Sequence, residues 1–194
     1  VDVPVIVWGS GNADKDADVL RKVAETCDGM NLVIGPLVEG NYKQVGAGAI
    51  GYKHTAIAST PIDINLAKQL NILLGNLGVP DGQIIVDPTT GGLGYGIEYT
   101  YSVMERDRMA ALTQQDERLQ FPILCNMAKE IWKTKEAKTK TEEAPALGDA
   151  KKRGILLEAV TAVVLLLAGA DVLVMRHPEA IKLVREMIAD FTAK

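Results

Sequence analysis

Short apolar runs alternate with segments of helical period along the chain. Each run is followed by a turn rich in Gly, Pro, Asn or Asp, and then by a segment whose apolar residues recur every three or four positions. The six apolar runs span residues 3–9, 31–36, 54–59, 83–88, 121–126 and 171–175. Unbroken apolar strands that alternate with helices are typical of a parallel sheet covered by helices. The pattern therefore predicts an α/β protein built from six βα units.

The number of units leaves two architectures open. A closed (β/α)8 barrel has eight units and typically about 250 residues, whereas this chain has 194 residues. It is either a six-stranded open sheet or a barrel without its first two units. A start directly on a strand that contains Pro4 favours the second. We predict a single domain, residues 1–194, that forms the C-terminal part of a TIM (β/α)8 barrel whose N-terminal units are missing.

Composition narrows the classes of partner. The net charge of −4 and the isoelectric point near 5.3 argue against nucleic acid or an anionic membrane, because phosphate binding needs clustered Lys and Arg. The most apolar segment, residues 155–170, is interrupted by Glu158 and Thr161 and is shorter than the ~20 residues that span a bilayer. We expect a buried helix there. Cys27 and Cys125 are too far apart for a CxxC motif, which favours a reducing cytoplasm.

Residues 127–150 form a long, charged connection between two predicted units. One interpretation is a solvated loop with a helical turn around Ile131 and Trp132. The other is a lid or a partner-docking loop, because long connections in compact domains are usually functional or disordered. The sequence leaves both interpretations open.

A possible nucleotide motif is excluded by its context. Residues 46–51, GAGAIG, match the G-x-G-x-x-G pattern, but the preceding strand ends near Pro36, ten residues earlier. Dinucleotide sites need these glycines directly after the strand. We predict instead a helix in which Gly and Ala allow close packing on a sheet. No P-loop and no HExxH sequence is present.

The two histidines differ in position relative to the predicted strands. His54 precedes a strand, which places it at the end of a barrel that serves stability. His177 follows a strand, which places it at the functional end. The alternative for His177 is a structural role beside the N-cap of the helix that Pro178 opens.

Polar residues follow each predicted strand. In a parallel barrel, the carboxyl ends of the strands share one mouth, where barrel proteins keep their sites. Amides and hydroxyls dominate there, without a nucleophile–base pair or a metal triad, which indicates hydrogen bonding to a large polar cofactor. The alternative is helix capping, a role expected for Asp14 or Asp16 and for Asp63. The predicted cofactor-binding residues are Asn12, Asn41, Thr60, Asp87, Thr89, Gly92, Gly94, Asn126 and His177. No catalytic or metal-binding residue is predicted.

The stretch DPTTGGLGYG, residues 87–96, carries the most specific local signal. Pro88 holds Asp87 extended, so that its carboxylate can accept hydrogen bonds at the strand end. Four glycines then occur within six residues, and glycine both removes the side chain and permits positive φ. We interpret this loop as part of a cofactor-facing rim. The alternative is a convoluted turn with no ligand.

Several long motifs resemble a known family. They are WGSGNADKDADVLRKVAE, EGNYKQVGAGAIGYKHTAIASTPIDINLAKQLNILL, IIVDPTTGGLGYGIEYTYSVMER and GDAKKRGILLEAVTAVVLLLAGADVLVMRHPEAIKLVREMI. They are similar to the small subunit of the corrinoid/iron–sulfur protein, which is the delta subunit of the CO dehydrogenase/acetyl-CoA synthase system. The resemblance covers nearly the whole chain. Family members are longer at the start, as expected if βα units are missing here.

The resemblance implies a TIM barrel paired with a large subunit that carries a [4Fe-4S] cluster and a corrinoid domain. It further implies that the corrinoid (cobalamin) lies between the large subunit and this barrel. The heterodimer would move a methyl group from methyltetrahydrofolate, through its methyltransferase, to acetyl-CoA synthase. The family is also related in shape to pterin-binding methyltransferases, whose strand-end Asp and Asn residues hold the pterin.

The residues themselves agree with a supporting role for this chain. Its two cysteines cannot hold a cluster, so we expect the [4Fe-4S] cluster on the large subunit. It has no D-x-H-x-x-G motif to supply a lower cobalt ligand. We therefore expect a subunit that shields and positions a cofactor. The alternatives are a pterin-dependent methyltransferase that uses Asp87 and Asn126, or a purely structural scaffold.

Overall fold

A computed structural model describes residues 3–193, except for the side chains of residues 13 and 14. Strands and helices alternate along this part of the chain, which confirms the six predicted βα units. The strands are β1 Ile6–Trp8, β2 Val33–Leu37, β3 Thr55–Ser59, β4 Ile84–Asp87, β5 Leu124–Cys125 and β6 Val172–Leu173. The helices are α1 Ala13–Thr26, α2 Tyr42–Gly51, α3 Ile64–Leu77, α4 Ile97–Thr113, α5 Ala128–Trp132, α6 Lys135–Lys138, α7 Ala150–Leu167 and α8 Pro178–Thr192.

The chain divides into two compact units. The first comprises Val1–Pro88 and Arg106–Ile123, and the second comprises Thr89–Glu105 and Leu124–Lys194. The prediction of a single domain over residues 1–194 stays a prediction.

The first unit is built on a parallel sheet with the strand order β1-β2-β3-β4. In this sheet Ile6 pairs with Val33, and Ser59 pairs with Asp87. Because neighbouring strands are parallel and follow one another in sequence, their carboxyl ends lie along one edge of the sheet. Apolar residues of the strands and of the covering helices form the core. Ile34, Leu37 and Ile84 of the strands and Leu20 and Leu74 of the helices are almost completely buried.

Local capping sets the ends of α3. The Asp63 carboxylate accepts hydrogen bonds from the backbone N–H groups of Asn65 and Leu66 at 2.8 and 3.1 Å, which confirms Asp63 as the predicted cap. At the other end Gly78 adopts the left-handed conformation with φ of 103°, where glycine is favoured over residues with a side chain. The sequence therefore determines both ends of this helix.

The GAGAIG motif lies in α2 and packs against neighbouring helices. A Cβ atom on Gly46 would lie 2.8 Å from Leu77 of α3, and one on Gly48 would lie 3.4 Å from Ala24 of α1. Small residues at these positions let the helices approach closely. The prediction of a helix rather than a dinucleotide loop is confirmed. The closest contacts of the two glycines are made to α1 and α3 rather than to the predicted sheet, whose Leu37 lies 3.8 Å from the Cβ position of Gly46.

His54 has a structural role in the first unit. Its ring is completely buried, its Nδ1 accepts the backbone N–H of Leu32 at 3.1 Å, and its Nε2 lies 2.9 Å from the carbonyl oxygen of Ala24. With Nδ1 accepting, the ring proton of the neutral side chain lies on Nε2. The imidazole thus links the end of α1 to the start of β2, as expected for a stability position.

The second unit contains the parallel pair β5 and β6, in which Leu124 pairs with Val172 and Cys125 with Leu173. Helix α7 follows the cap Asp149, whose Oδ1 accepts from Lys152 N at 2.8 Å. The predicted buried helix over residues 155–170 corresponds to α7, but one face is open, since Leu156 and Leu167 are 55% and 65% exposed. Within residues 3–193, no helix is long and apolar enough to cross a membrane.

The connection over residues 127–150 is more ordered than a solvated loop. It contains α5 and α6, and the predicted helical turn around Trp132 is confirmed by α5. Two contacts attach its end to α7: Arg153 Nη2 donates to Thr139 O at 2.6 Å, and Ala150 N donates to Thr141 Oγ1 at 2.9 Å. These contacts hold residues 139–150 against the start of α7.

Candidate functional site

The turn after β1 is closed by Asp16. Its carboxylate accepts hydrogen bonds from Ser10 N, Ser10 Oγ and Gly11 N at 2.8, 2.6 and 2.9 Å. The hydrogen bond from the Ser10 side chain is the main cause that lowers the pKa of Asp16. The N-cap of α1 is Asn12, whose side chain accepts from Lys15 N at 3.3 Å. The expectation that Asp14 or Asp16 caps α1 is wrong, because Asp16 already lies in the first turn of the helix and bonds backward to the loop.

Asn41 holds the turn after β2. Its Oδ1 accepts from Val38 N at 2.8 Å, and its Nδ2 donates to Pro36 O at 3.3 Å. Both bonds are local to the βα turn. In this structure Asn12 and Asn41 therefore shape the loops at the strand ends.

Ser59 and Asp87 meet at the ends of β3 and β4. They are register partners, and Ser59 Oγ donates to Asp87 Oδ2 at 2.7 Å. The Asp87 side chain is buried, and its backbone oxygen accepts from Thr60 N at 3.1 Å. The predicted Asp87 carboxylate is thus an acceptor at the strand end, as expected, and one partner is a hydroxyl from the neighbouring strand.

A small pocket of about 230 Å³ opens beside this pair in the first unit. Its floor includes Ser59 and the buried Thr60, and its walls are largely apolar, with Leu66, Leu70 and Leu73 from α3. Apolar walls with a few convergent polar groups are typical of ligand pockets, but this volume is below their usual ~300 Å³ or more. It has room for one ring or side arm of a larger ligand.

The backbone of the glycine loop, residues 91–96 of the second unit, packs against itself. A Cβ atom on Gly91 would lie 2.6 Å from the backbone carbon and oxygen of Gly96. Gly94 and Gly96 have positive φ, at 77° and 95°. Tyr95 N and Ile97 N both donate to Gly92 O, at 2.8 and 3.2 Å. The group that comes close to this glycine backbone is the loop's own backbone.

Thr89 and Thr100 fix the entry to the glycine loop. Thr100 Oγ1 accepts from Gly91 N at 2.8 Å and donates to Thr89 O at 3.2 Å. Thr89 is exposed and has φ of 59°. A β-branched residue rarely adopts this left-handed conformation.

A polar and aromatic cluster lies after β6 in the same unit. Its members are Trp132, Glu158, Arg176 and His177. The completely buried Glu158 carboxylate accepts from Trp132 Nε1 at 2.9 Å and from the backbone N–H of His177 at 3.0 Å. The His177 ring stacks on the Trp132 ring with centroids 5.9 Å apart, and the Arg176 guanidinium lies 5.4 Å from the centroid of the same ring. We call these four residues the Trp132 cluster.

His177 also caps α8. Its Nδ1 accepts from Glu179 N at 3.2 Å, with Pro178 at the first position of the helix. The structural role considered for His177 is therefore confirmed, and the residue is the N-cap itself. Since Nδ1 accepts, the proton of the neutral ring lies on Nε2, which leaves a donor for a ligand.

Comparison with known families identifies the chain. Residues 1–192 match the family model described as CO dehydrogenase/acetyl-CoA synthase delta subunit. The chain belongs to this family. The resemblance seen in the sequence motifs is therefore confirmed.

Curated relatives carry the corresponding name. The chain is 42% identical over 187 residues to the acetyl-CoA decarbonylase/synthase complex subunit delta of Methanopyrus kandleri, covering 96% of this chain and 46% of the relative. It is 36% identical over 192 residues to the subunit delta of Archaeoglobus fulgidus, covering 96% of this chain and 42% of that relative. The chain thus spans about half the length of the curated relatives that it matches.

Solved structures with a similar fold are dihydropteroate synthases. The enzyme from Thermus thermophilus in complex with 6HMPPP gives a TM-score of 0.61 at 16% identity, covering 98% of this chain and 70% of that chain. The enzyme from Yersinia pestis with a pterine–sulfa conjugate gives 0.60 at 16% identity, covering 100% and 70%. At this identity the likeness concerns the fold alone. Dihydropteroate synthases are TIM barrels, so the predicted fold class is confirmed.

The structure places the predicted site residues at strand ends within each unit. Asn12, Asn41 and Thr60 follow strands of the first unit, Asp87 is the last residue of β4, and Asn126 and His177 follow β5 and β6 in the second unit. Gly92 is buried and Gly94 is exposed in the glycine loop. A role of all nine in one cofactor site stays a prediction. Among residues 3–193, no group of three or more His, Cys, Asp or Glu side chains could hold a metal ion.

Sequence reasoning missed the central residue of the Trp132 cluster. Glu158 was recognised as an interruption of an apolar segment, but no partner was assigned to it. A single acid among apolar helix residues is itself a signal, because a buried carboxylate needs donors. The most direct candidates for these donors are backbone N–H groups at the start of the next helix.

Tyr95→Phe is expected to loosen the glycine loop without unfolding the protein. The Tyr95 hydroxyl donates to Glu136 Oε2 at 2.8 Å and thereby attaches the loop to α6; this bond is the main cause that raises the pKa of Tyr95. We expect faster amide hydrogen exchange at residues 95 and 97 with little change in melting temperature. The matched control is Tyr99→Phe, at a 64% exposed tyrosine. Equal exchange in both variants would show that Tyr95 does not hold the loop.

Proposed function

We propose that this chain forms part of the small subunit of a corrinoid/iron–sulfur methyl carrier, where it covers and positions the corrinoid (cobalamin). The observation that carries this proposal is the family match over residues 1–192. The partners would be the large subunit, which holds the [4Fe-4S] cluster, the methyltetrahydrofolate methyltransferase and acetyl-CoA synthase. The pathway would be the reductive acetyl-CoA pathway in the cytoplasm. Since the relatives' complex is named a decarbonylase/synthase, methyl transfer in both directions falls within the proposal.

The chemistry of the strand-end residues fits a corrinoid. A corrin ring carries amide side arms, which take neutral hydrogen-bond donors and acceptors. In the first unit the predicted residues supply the amide of Asn12, and the small pocket beside Ser59 would hold one side arm. In the second unit, taken by itself, they supply the amide of Asn126, the hydroxyl of Thr89 and the backbone of the exposed Gly94, which would bind amide side arms. The corrinoid, when bound, supplies cobalt chemistry for methyl transfer.

The chain's own residues support positioning over catalysis. In the first unit the Asp87 carboxylate bonds to Ser59 Oγ, and Asn12 and Asn41 are engaged in turns. In the second unit the Glu158 carboxylate is enclosed by donors. In each of these contacts the carboxylate or the amide holds a turn or a strand end in place. We therefore assign the chain binding, orientation and exclusion of water.

Asn126→Ala is expected to weaken corrinoid retention in the heterodimer. Asn126 follows β5 and is half-buried, and loss of one neutral hydrogen bond of ~1 kcal/mol corresponds to roughly fivefold weaker binding. Retention is measured from the cobalamin absorbance that co-purifies with the complex. The matched control is Asn76→Ala, at an exposed position near the end of α3. Equal retention in both variants would remove Asn126 from the proposed site.

A second candidate is a pterin-dependent methyltransferase. It is favoured by the dihydropteroate synthase fold and by the buried Ser59–Asp87 pair at the strand ends, since a carboxylate there could receive hydrogen bonds from a pterin ring. The test is calorimetric titration of the full-length subunit with methyltetrahydrofolate, without the large subunit. Micromolar binding that is lost in Asp87→Ala would favour the methyltransferase. Absence of binding, with corrinoid retained in the heterodimer, would favour the methyl carrier.

A further inference from the structure

Glu158 carries a carboxylate at a position where the apolar pattern of the helix predicts an apolar side chain. It lies near the middle of α7 and is completely buried. Its oxygens accept three N–H groups: Trp132 Nε1 at 2.9 Å, Arg176 N at 2.5 Å and His177 N at 3.0 Å. All three partners are donors. The carboxylate is thus used as an acceptor on both oxygens.

Two of these donors belong to the turn between β6 and α8. The backbone N–H groups of Arg176 and His177 point at one carboxylate, directly before α8 begins at Pro178. The start of a helix carries partial positive charge and favours an anion. In many barrels a phosphate group of the ligand is bound at a βα turn of this kind. Here the chain's own carboxylate lies at that position.

The third donor fixes an aromatic ring. Gly154 lies four residues before Glu158, on the same face of α7. A Cβ atom at Gly154 would lie 2.7 Å from the six-membered ring of Trp132, so the indole packs directly against the helix backbone there. Its N–H group then donates to Glu158. Helix α7 thus holds the indole at two points.

The fixed indole in turn orders the polar end of the Trp132 cluster. The His177 ring lies at an interplanar angle of 23° to the indole, and the Arg176 guanidinium lies over it. Aromatic stacking and cation–π attraction of this kind favour one arrangement of the side chains. The side chains of Arg176 and His177, which carry donors for a ligand, are therefore restrained through the Trp132 indole, and Glu158 binds this indole.

We propose that Glu158 is the positioning residue of this strand end: its carboxylate takes the place of a bound anion at the β6–α8 turn and sets Trp132, Arg176 and His177 in their arrangement. The use of this arrangement toward a corrinoid rests on the proposed function. The role of Glu158 within the Trp132 cluster does not, because it follows from contacts inside the second unit.

The test is 19F NMR of the full-length subunit labelled with 5-fluorotryptophan. The Trp132 resonance is identified because it is lost in Trp132→Phe. In Glu158→Gln the volume is kept, but an amide cannot accept from all three donors. We expect the Trp132 resonance to leave its wild-type position. In Glu158→Ala we expect the same change, and added formate should restore the wild-type position and raise the melting temperature by filling the anion position. Glu179→Gln, which removes an exposed carboxylate from the first turn of α8, should change neither signal.

Three outcomes decide between the explanations. A wild-type Trp132 resonance in Glu158→Gln would overturn the positioning role, and this variant decides alone if Glu158→Ala does not fold. A folded Glu158→Ala that formate leaves unchanged would overturn the anion position. If the resonance responds as expected but the heterodimer of Glu158→Gln retains its corrinoid fully, the positioning role stands and the corrinoid-facing role of this strand end fails.

Discussion

Asp107→Asn is expected to stabilise the protein relative to wild type at pH 8, and by much less at pH 4. Asp107 on α4 is buried, and within residues 3–193 neither of its carboxylate oxygens has a hydrogen-bond partner. Burial is the main cause that raises its pKa from 3.8 to about 7, with Arg108 opposing the rise and Asp116 adding to it. The folded protein therefore keeps a proton on Asp107 that the unfolded chain releases.

The sign and size of the effect follow from this difference in proton binding. Between about pH 4 and pH 7 the folded state binds more protons than the unfolded state, so stability falls as pH rises. Above pH 7 both states are ionised and the loss is complete. The shift from 3.8 to about 7 corresponds to a loss on the order of 4 kcal/mol at 1.36 kcal/mol per pKa unit. The asparagine variant lacks this loss, since its side chain does not titrate.

The measurement is urea unfolding of both proteins at several pH values. Glu105→Gln is the matched control, because Glu105 is an exposed carboxylate on the same helix. A buried amide without partners is itself unfavourable at every pH, so the difference in slope between pH 4 and 8 is decisive. Parallel stability curves for wild type and Asp107→Asn would contradict the raised pKa.

Gly91→Ala is expected to be the most destabilising change within the glycine loop. The added Cβ would lie 2.6 Å from two backbone atoms of Gly96 and 3.0 Å from Ile97 N. Backbone atoms cannot move aside as a flexible side chain can, so the loop must open. Overpacking of this kind costs about 1–3 kcal/mol, and we expect the upper part of that range. The free energy of unfolding in urea measures it.

Gly94→Ala is the comparison within the same loop. Gly94 has φ of 77° but open space around its Cβ position, so its replacement costs only the conformational penalty of about 1–2 kcal/mol. The loss of stability in Gly91→Ala measures the close approach of the backbone, and the loss in Gly94→Ala measures the backbone conformation, so comparing the two losses separates these effects. A loss in Gly94→Ala equal to or greater than that in Gly91→Ala would mean that the loop does not close on itself at Gly91.

The sequence predicted the features that depend on neighbouring residues. The βα alternation follows from local apolar pattern, and all six units are present. The Asp63 cap follows from one side chain placed two and three residues before its donors. His177 beside Pro178 was recognised as a structural alternative, and the residue is the N-cap.

Features that depend on distant residues were not predictable. The donors to Glu158 lie 18, 19 and 26 residues away in sequence, and no local pattern connects them. The N-cap of α1 was assigned wrongly because Asn12, Asp14 and Asp16 are all good capping residues; the choice depends on backbone angles and on the turn after β1. The interpretation of the glycine loop as part of a cofactor-facing rim stays a prediction, and no local pattern indicates that the backbone of Gly96 lies next to Gly91.

The packing of Trp132 against Gly154 implies that these two positions, which lie on different helices, are substituted in a correlated way during evolution. A Cβ atom at residue 154 would lie only 2.7 Å from the Trp132 ring atoms, so a side chain at position 154 and the indole cannot both fit. Among relatives, a residue larger than glycine at position 154 is therefore expected only where position 132 holds something smaller than tryptophan. Loss of the indole would leave Glu158 with one donor fewer, but the backbone N–H groups of Arg176 and His177 would still need its carboxylate. Positions 132 and 154 should therefore change together, while the acid at position 158 is retained.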